Sequence, residues 1–134
     1  MIAQSEISIG EKILAIMALA TKEVDKKKLS YDAVFSAFKK IAESNPDEFP
    51  EIYFSDFVGK APYSKKLEKI LFRLGSWGGI SIENPYFRYL KVTDRVFNSI
   101  EDDILKSYGK DTFTKLKQLS DRFIEEIPSD KREN

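Results

Sequence analysis

Residues 59–93 read GKAPYSKKLEKILFRLGSWGGISIENPYFRYLKVT, and their spacing decides the fold. Ser64 stands where an N-cap belongs, ahead of Lys65 and Lys66. Leu67, Ile70, Leu71 and Leu74 then recur at i, i+3, i+4 and i+7, which makes one continuous apolar helix face. Gly75 is placed to end that helix in a left-handed conformation. Beyond it, Ile80 and Ile82 alternate with Ser81 and Glu83, the period of a half-buried strand. Asn84-Pro85 marks a turn, and the aromatic, β-prone run from Tyr86 to Val92 is expected to return antiparallel.

Helix followed by β-hairpin is how a winged helix-turn-helix ends, and the flanks supply elements before and after it. Upstream, Ile13, Ile16, Met17, Ala20 and Val24 recur at helical spacing from Glu11 onward. Lys26-Lys27-Lys28 reads as a solvated turn. Ser30 caps a second helix, with Asp32 near its positive end and Val34, Phe35, Phe38, Ile41 and Ala42 as its stripe. Asn45-Pro46 stops it, because the residue before proline is pushed out of helical geometry. Pro50 opens a further short helix over Glu51 to Val58 in this reading. Downstream, Thr93 caps a helix that carries Val96, Phe97, Ile100, Ile104 and Tyr108, and Gly109 ends it. A last helix runs from about Asp111 to Ile127, with Phe113, Leu116, Leu119, Phe123 and Ile127 in line, and Pro128 stops it. The apolar line of this C-terminal pair is expected either to pack onto the domain or to pair with a second copy.

At 134 residues, one domain over 1–134 is the default. Within it the reading assigns a winged-helix core to about 11–93, a helical pair to about 94–127 and a polar tail to 128–134. Hydrophobic residues make up 42% of the chain, too many for a disordered one. No apolar run is long enough to span a bilayer, and no secretory signal is visible. The chain has no cysteine, which removes disulfides and thiolate chemistry and fits the cytoplasm. It also has no histidine, so the usual zinc sites and Ser-His or Cys-His nucleophile pairs cannot be built. The expectation is therefore a protein that is not an enzyme, with no cofactor and no metal. Glu101-Asp102-Asp103 point about 100° apart on a helix and read as surface charge. The glycines at 75, 78 and 79 lack a following Lys-Ser/Thr, so they read as a sharp entry to the hairpin, with Trp77 plugging the core. Tyr53, Phe54, Phe57, Tyr86, Phe87 and Tyr89 read as core aromatics rather than base-stacking ones.

The formal net charge is zero, but it is unevenly placed. Residues 60–91 carry 7 Lys/Arg against 2 Asp/Glu, a balance of +5, while the segments on either side are acidic. A phosphate backbone needs local positive potential rather than a basic whole protein. On a helical wheel Lys65, Lys69, Phe72 and Arg73 fall opposite the leucines, with Lys66 and Glu68 at the boundary. The candidate partner is double-stranded DNA. Lys65, Lys66, Lys69 and Arg73 would contact it from the helix, Ser64 with its hydroxyl, and Asn84, Tyr86, Arg88 and Lys91 from the hairpin. Phe72 is out of place on such a face. It is expected to pack under the helix after the hairpin, or else to mark a protein-binding patch. Small-molecule sensing in the crevice under the C-terminal helices has no residue to recommend it.

The series Gly59-Lys60-Ala61-Pro62-Tyr63-Ser64, then Leu67, Leu71 and Leu74, then Gly79-Ile80, Leu90 and Val92-Thr93 resembles a family of winged-helix proteins. These are the Panacea-type antitoxins, phage-associated proteins and small uncharacterised bacterial and archaeal proteins, which share Gly-Pro-Tyr-Ser, a leucine-bearing helix, a Gly-Ile strand start and a hydrophobic-Thr ending. The resemblance implies that Leu29 to Ile41 is the early helix under the recognition helix. It also implies that such a scaffold serves either DNA or a protein partner. Taken together, the sequence predicts an α+β, mostly helical winged helix-turn-helix with a two-stranded wing and two additional C-terminal helices. Its expected role is DNA binding in transcription regulation, with an antitoxin- or adaptor-like interaction module as the alternative.

Overall fold

The computed structural model describes residues 7–23, 28–55, 62–83 and 89–127. Among them are five α-helices and a small antiparallel sheet: α1 (Ile9–Glu23), β1 (Lys28–Ser30), α2 (Tyr31–Ser44), α3 (Lys65–Trp77), β2 (Ile80–Glu83), β3 (Tyr89–Val92), α4 (Asp94–Tyr108) and α5 (Lys110–Glu126). The protein is thus α+β and mostly helical. None of these helices is long and apolar enough to cross a membrane.

The sheet order is β1-β3-β2, with Leu29 opposite Leu90 and Leu90 opposite Ile82. The expected two-stranded hairpin therefore gains a third strand. Lys28, read from sequence as part of a turn, and Leu29, read as the start of a helix, both belong to β1. Ser30 ends the strand and caps α2, its hydroxyl accepting from the Ala33 amide at 3.4 Å.

Helix α1 is the centre of the molecule. Ile13 through Thr21 are all buried, a wider run than the stripe its spacing suggested. The Thr21 hydroxyl is accommodated there because it donates to the Met17 and Ala18 carbonyls, each at 3.0 Å. A helix apolar on every side must be covered on every side. Helices α4 and α5 pack on α1 and on each other, α5 also covers α2, and α3 closes against α1 and β2. The line Leu116, Leu119, Phe123 and Ile127 is therefore buried within the chain. Phe123 lies 4.8 Å from Phe38 of α2, ring centre to ring centre.

Two local expectations fail. Residues 51–55 are not helical. A short 3-10 turn occupies Pro46–Glu48, Glu51 takes φ +67°, and Ser55 bridges Tyr63 in antiparallel fashion. Burial of Phe49 and Ile52 on either side of an exposed Pro50-Glu51 turn drives this path. Residues 56–58 of the expected helix lie outside the described residues. Gly75, expected to end α3, lies inside it. The helix continues to Trp77, and Gly78 takes the left-handed conformation at φ +92°. There the Gly79 amide donates to Leu74 and the Gly78 amide to Gly75, the paired bonds of a Schellman ending.

One ion network ties the 46–48 turn to the helices. Glu48 accepts from Lys115 at 2.7 Å and from Lys12 at 3.0 Å. Chiefly the Lys115 bond, with help from Lys12 and against partial burial, holds the Glu48 carboxyl below the usual glutamate range. A carboxyl lowered on folding contributes stability above its unfolded pKa and loses it as pH falls through the folded value. Glu48→Gln is expected to cost about 1 kcal/mol at about pH 7, discounted for solvent screening, and almost nothing at about pH 2. Urea melts of both proteins across that range check it.

Candidate nucleic-acid interface

Helix α3 starts where its sequence says it should. The Leu67 amide donates to the Ser64 hydroxyl at 3.1 Å, and Leu67, Ile70, Leu71 and Leu74 are buried. That anchoring turns the opposite arc outward, and Lys65, Lys66, Lys69 and Arg73 are all exposed. Among the described residues, every ion pair lies on α1, α2, the 46–48 turn, α4 or α5. No cation of α3 pairs with a described carboxylate.

The one carboxylate on α3 is occupied elsewhere. Glu68 accepts from the Tyr63 hydroxyl at 2.7 Å and from the Tyr31 hydroxyl at 3.3 Å. The bond to Glu68 raises the Tyr63 pKa, and burial together with the same carboxylate raises that of Tyr31. Both phenols are protonated donors at neutral pH in any case, and the shared carboxylate holds them so to still higher pH. Tyr63 also stacks on Phe35 with ring centres 6.0 Å apart, so the start of α3 is fixed to α2 through aromatic rings and one shared acid. The effect is electrostatic as well as mechanical. Two hydroxyls satisfy Glu68 on the side facing α2, so its charge stays but it takes no α3 cation as an ion-pair partner, and the arc of four cations keeps a positive balance.

Several sequence-predicted residues land differently. Ser64 is buried, 1% exposed, and its hydroxyl is used in the cap, so it leaves the interface. Lys91 is half-buried on β3 between buried Leu90 and Val92, which puts it on the sheet face away from the core, opposite Ser81 and in register with Lys28. Asn84, Tyr86 and Arg88 lie outside the described residues. Phe72 does not pack under the following helix; it is 44% exposed at one edge of the cation arc. Trp77 does not plug the core. It is 58% exposed at the other edge, with the Arg95 guanidinium 5.0 Å from its ring centre. Sequence periodicity missed Arg95, because its partner on α3 is brought to it only by the sheet.

Elsewhere, Glu101, Asp102 and Asp103 are exposed, as expected of surface charge. Lys22 pairs with Glu101 at 3.2 Å. Among the described residues, no group of carboxylates is placed to hold a metal ion. A cleft of about 170 Å³ runs between α1 and α4, floored by Leu14, Ile100 and Ile104. Comparison of the chain with known protein families, with curated proteins and with solved structures found no match in any of the three.

Proposed function

We propose that this chain is a winged-helix DNA-binding protein, a small regulator of transcription acting in the cytoplasm. The supporting observation is the exposed arc of Lys65, Lys66, Lys69 and Arg73 on α3, which has no ion-pair partner among the described residues. The order α1-β1-α2-α3-β2-β3, with β1 joined to the far strand of the hairpin, supports the winged-helix assignment. In that assignment α3 is the groove-entering helix and the β2–β3 hairpin is the wing. The α2–α3 connection, residues 45–64, is longer than the short turn of a minimal helix-turn-helix. The Tyr31–Glu68–Tyr63 bonds do the work of that turn in fixing α3 to α2.

Lysines dominate the arc, so affinity rests on phosphate contacts, and Arg73 is its one bidentate donor to a base. Electrophoretic mobility shift with random duplex DNA over a salt series tests the reading. Retention at low salt that falls linearly on a log–log plot is expected, and no retention at the lowest salt would defeat it.

The exposure of Phe72 favours a second reading, a protein-interaction module in which α3 holds a partner. It predicts poor DNA retention at every salt concentration. It also predicts a partner that is lost on Phe72→Asp while circular dichroism stays unchanged.

A further inference from the structure

We infer that the DNA-contacting surface continues past the end of α3 onto α4, where Trp77 holds Arg95 as an anchor for a backbone phosphate. This rests on the DNA reading above and extends it to a residue outside the basic stretch. Trp77 follows Arg73 by one helical turn, so the exposed side of α3 runs directly into the indole. The ring lies close over Gly79, where an added Cβ would come within 2.9 Å of two ring carbons. The Arg95 guanidinium sits 5.0 Å from the ring centre, and its Nη2 donates to the Gly78 carbonyl at 3.3 Å. The Thr93 hydroxyl donates to the Gly78 and Gly79 carbonyls at 2.9 and 3.2 Å, which fixes the start of α4 to the same corner.

A stacked, hydrogen-bonded guanidinium has lost much of its rotamer freedom before any ligand arrives, which lowers the cost of binding. Its charge remains available. Arg95 is exposed and makes no ion pair with a described residue. The two carboxylates that share the nearby cleft are engaged by hydroxyls. Asp103 accepts from Ser99, and Glu11 accepts from Ser8 and Tyr108. A planar cation left unpaired beside a basic helix suits a phosphodiester, which accepts from a guanidinium fork whatever the base sequence.

Anisotropy titrations of labelled random duplex DNA across a salt series test this in four proteins: wild type, Arg95→Gln, Arg95→Lys and Trp77→Leu. Arg95→Gln is expected to bind roughly tenfold more weakly at low salt, with the log–log salt slope reduced by about 0.9. Arg95→Lys should keep the slope, and Trp77→Leu should lose affinity severalfold with the slope unchanged, since the charge remains but is no longer held. Trp77 is the chain's one tryptophan, so its emission should also quench as DNA is added to the wild type. Wild-type affinity and slope in Arg95→Gln, beside lost binding in a protein with Lys65, Lys69 and Arg73 all replaced by alanine, would overturn the inference alone. So would an affinity loss in Arg95→Gln with an unchanged slope and a lowered urea midpoint, the mark of a merely structural corner. Failure of the wild type to bind would remove the DNA reading and this inference together.

Discussion

Replacing Lys65, Lys69 and Arg73 together with alanine should lower the affinity for mixed genomic DNA by about two orders of magnitude at low salt, and should flatten the salt slope by between two and three units or so. The loss should be alike for all sequences where lysine contacts phosphate, with any change in base preference confined to Arg73. All three side chains are exposed and none pairs with a described carboxylate, so folding stability should shift by no more than about 0.5 kcal/mol. A large binding effect beside a negligible stability effect is what distinguishes a recognition surface from a solvated helix face. Unchanged affinity in the triple variant would show that α3 is not the contacting element. Mobility shift and urea denaturation on the same preparations give both quantities.

The second large effect concerns the core. Phe123 is fully buried on α5 and packs against Phe38, which in turn meets Phe49 edge-on at 6.2 Å. Phe123→Ala deletes a ring from this three-aromatic contact and leaves a cavity between α2 and α5. The expected cost is about 3–5 kcal/mol, a large fraction of the roughly 5–15 kcal/mol that holds a domain of this size together. The urea midpoint should fall accordingly, and a loss under about 1 kcal/mol would mean that α5 is dispensable to the core. The exposed Leu105→Ala on α4 is the matched control and should change little.

What the sequence made legible was local. Ser30 and Ser64 cap their helices because a hydroxyl, an amide and an extended backbone meet within three residues. Asn45-Pro46 stops α2 by sterics within a dipeptide, and the leucines of α3 face inward because helical pitch decides it. What stayed hidden depended on partners far along the chain. β1 is three residues of Lys-Leu-Ser that form a strand only by pairing with residues 89–91. Gly75 and Gly78 are equally able to end a helix. The bonds from the Gly78 and Gly79 amides to Gly75 and Leu74 decide for the later one. Trp77 looked like core because its ring is large and apolar. The guanidinium that covers it comes from α4, on the other side of a hairpin. The cation arc could be read from periodicity, whereas the absence of an ion pair to Glu68 could not, since the acid's hydrogen-bond partners are hydroxyls from Tyr31 and Tyr63.

The burial of α1 on all sides carries a consequence for synthesis. Its nine consecutive buried residues, Ile13 to Thr21, emerge from the ribosome before anything exists to cover them. The helices that shield them, α4 and α5, begin only at Asp94, long after α1 has been made. Until they emerge, the nascent chain exposes its greasiest segment to whatever holdase stands at the exit tunnel, and the native packing around α1 can close only once α5 has followed it out.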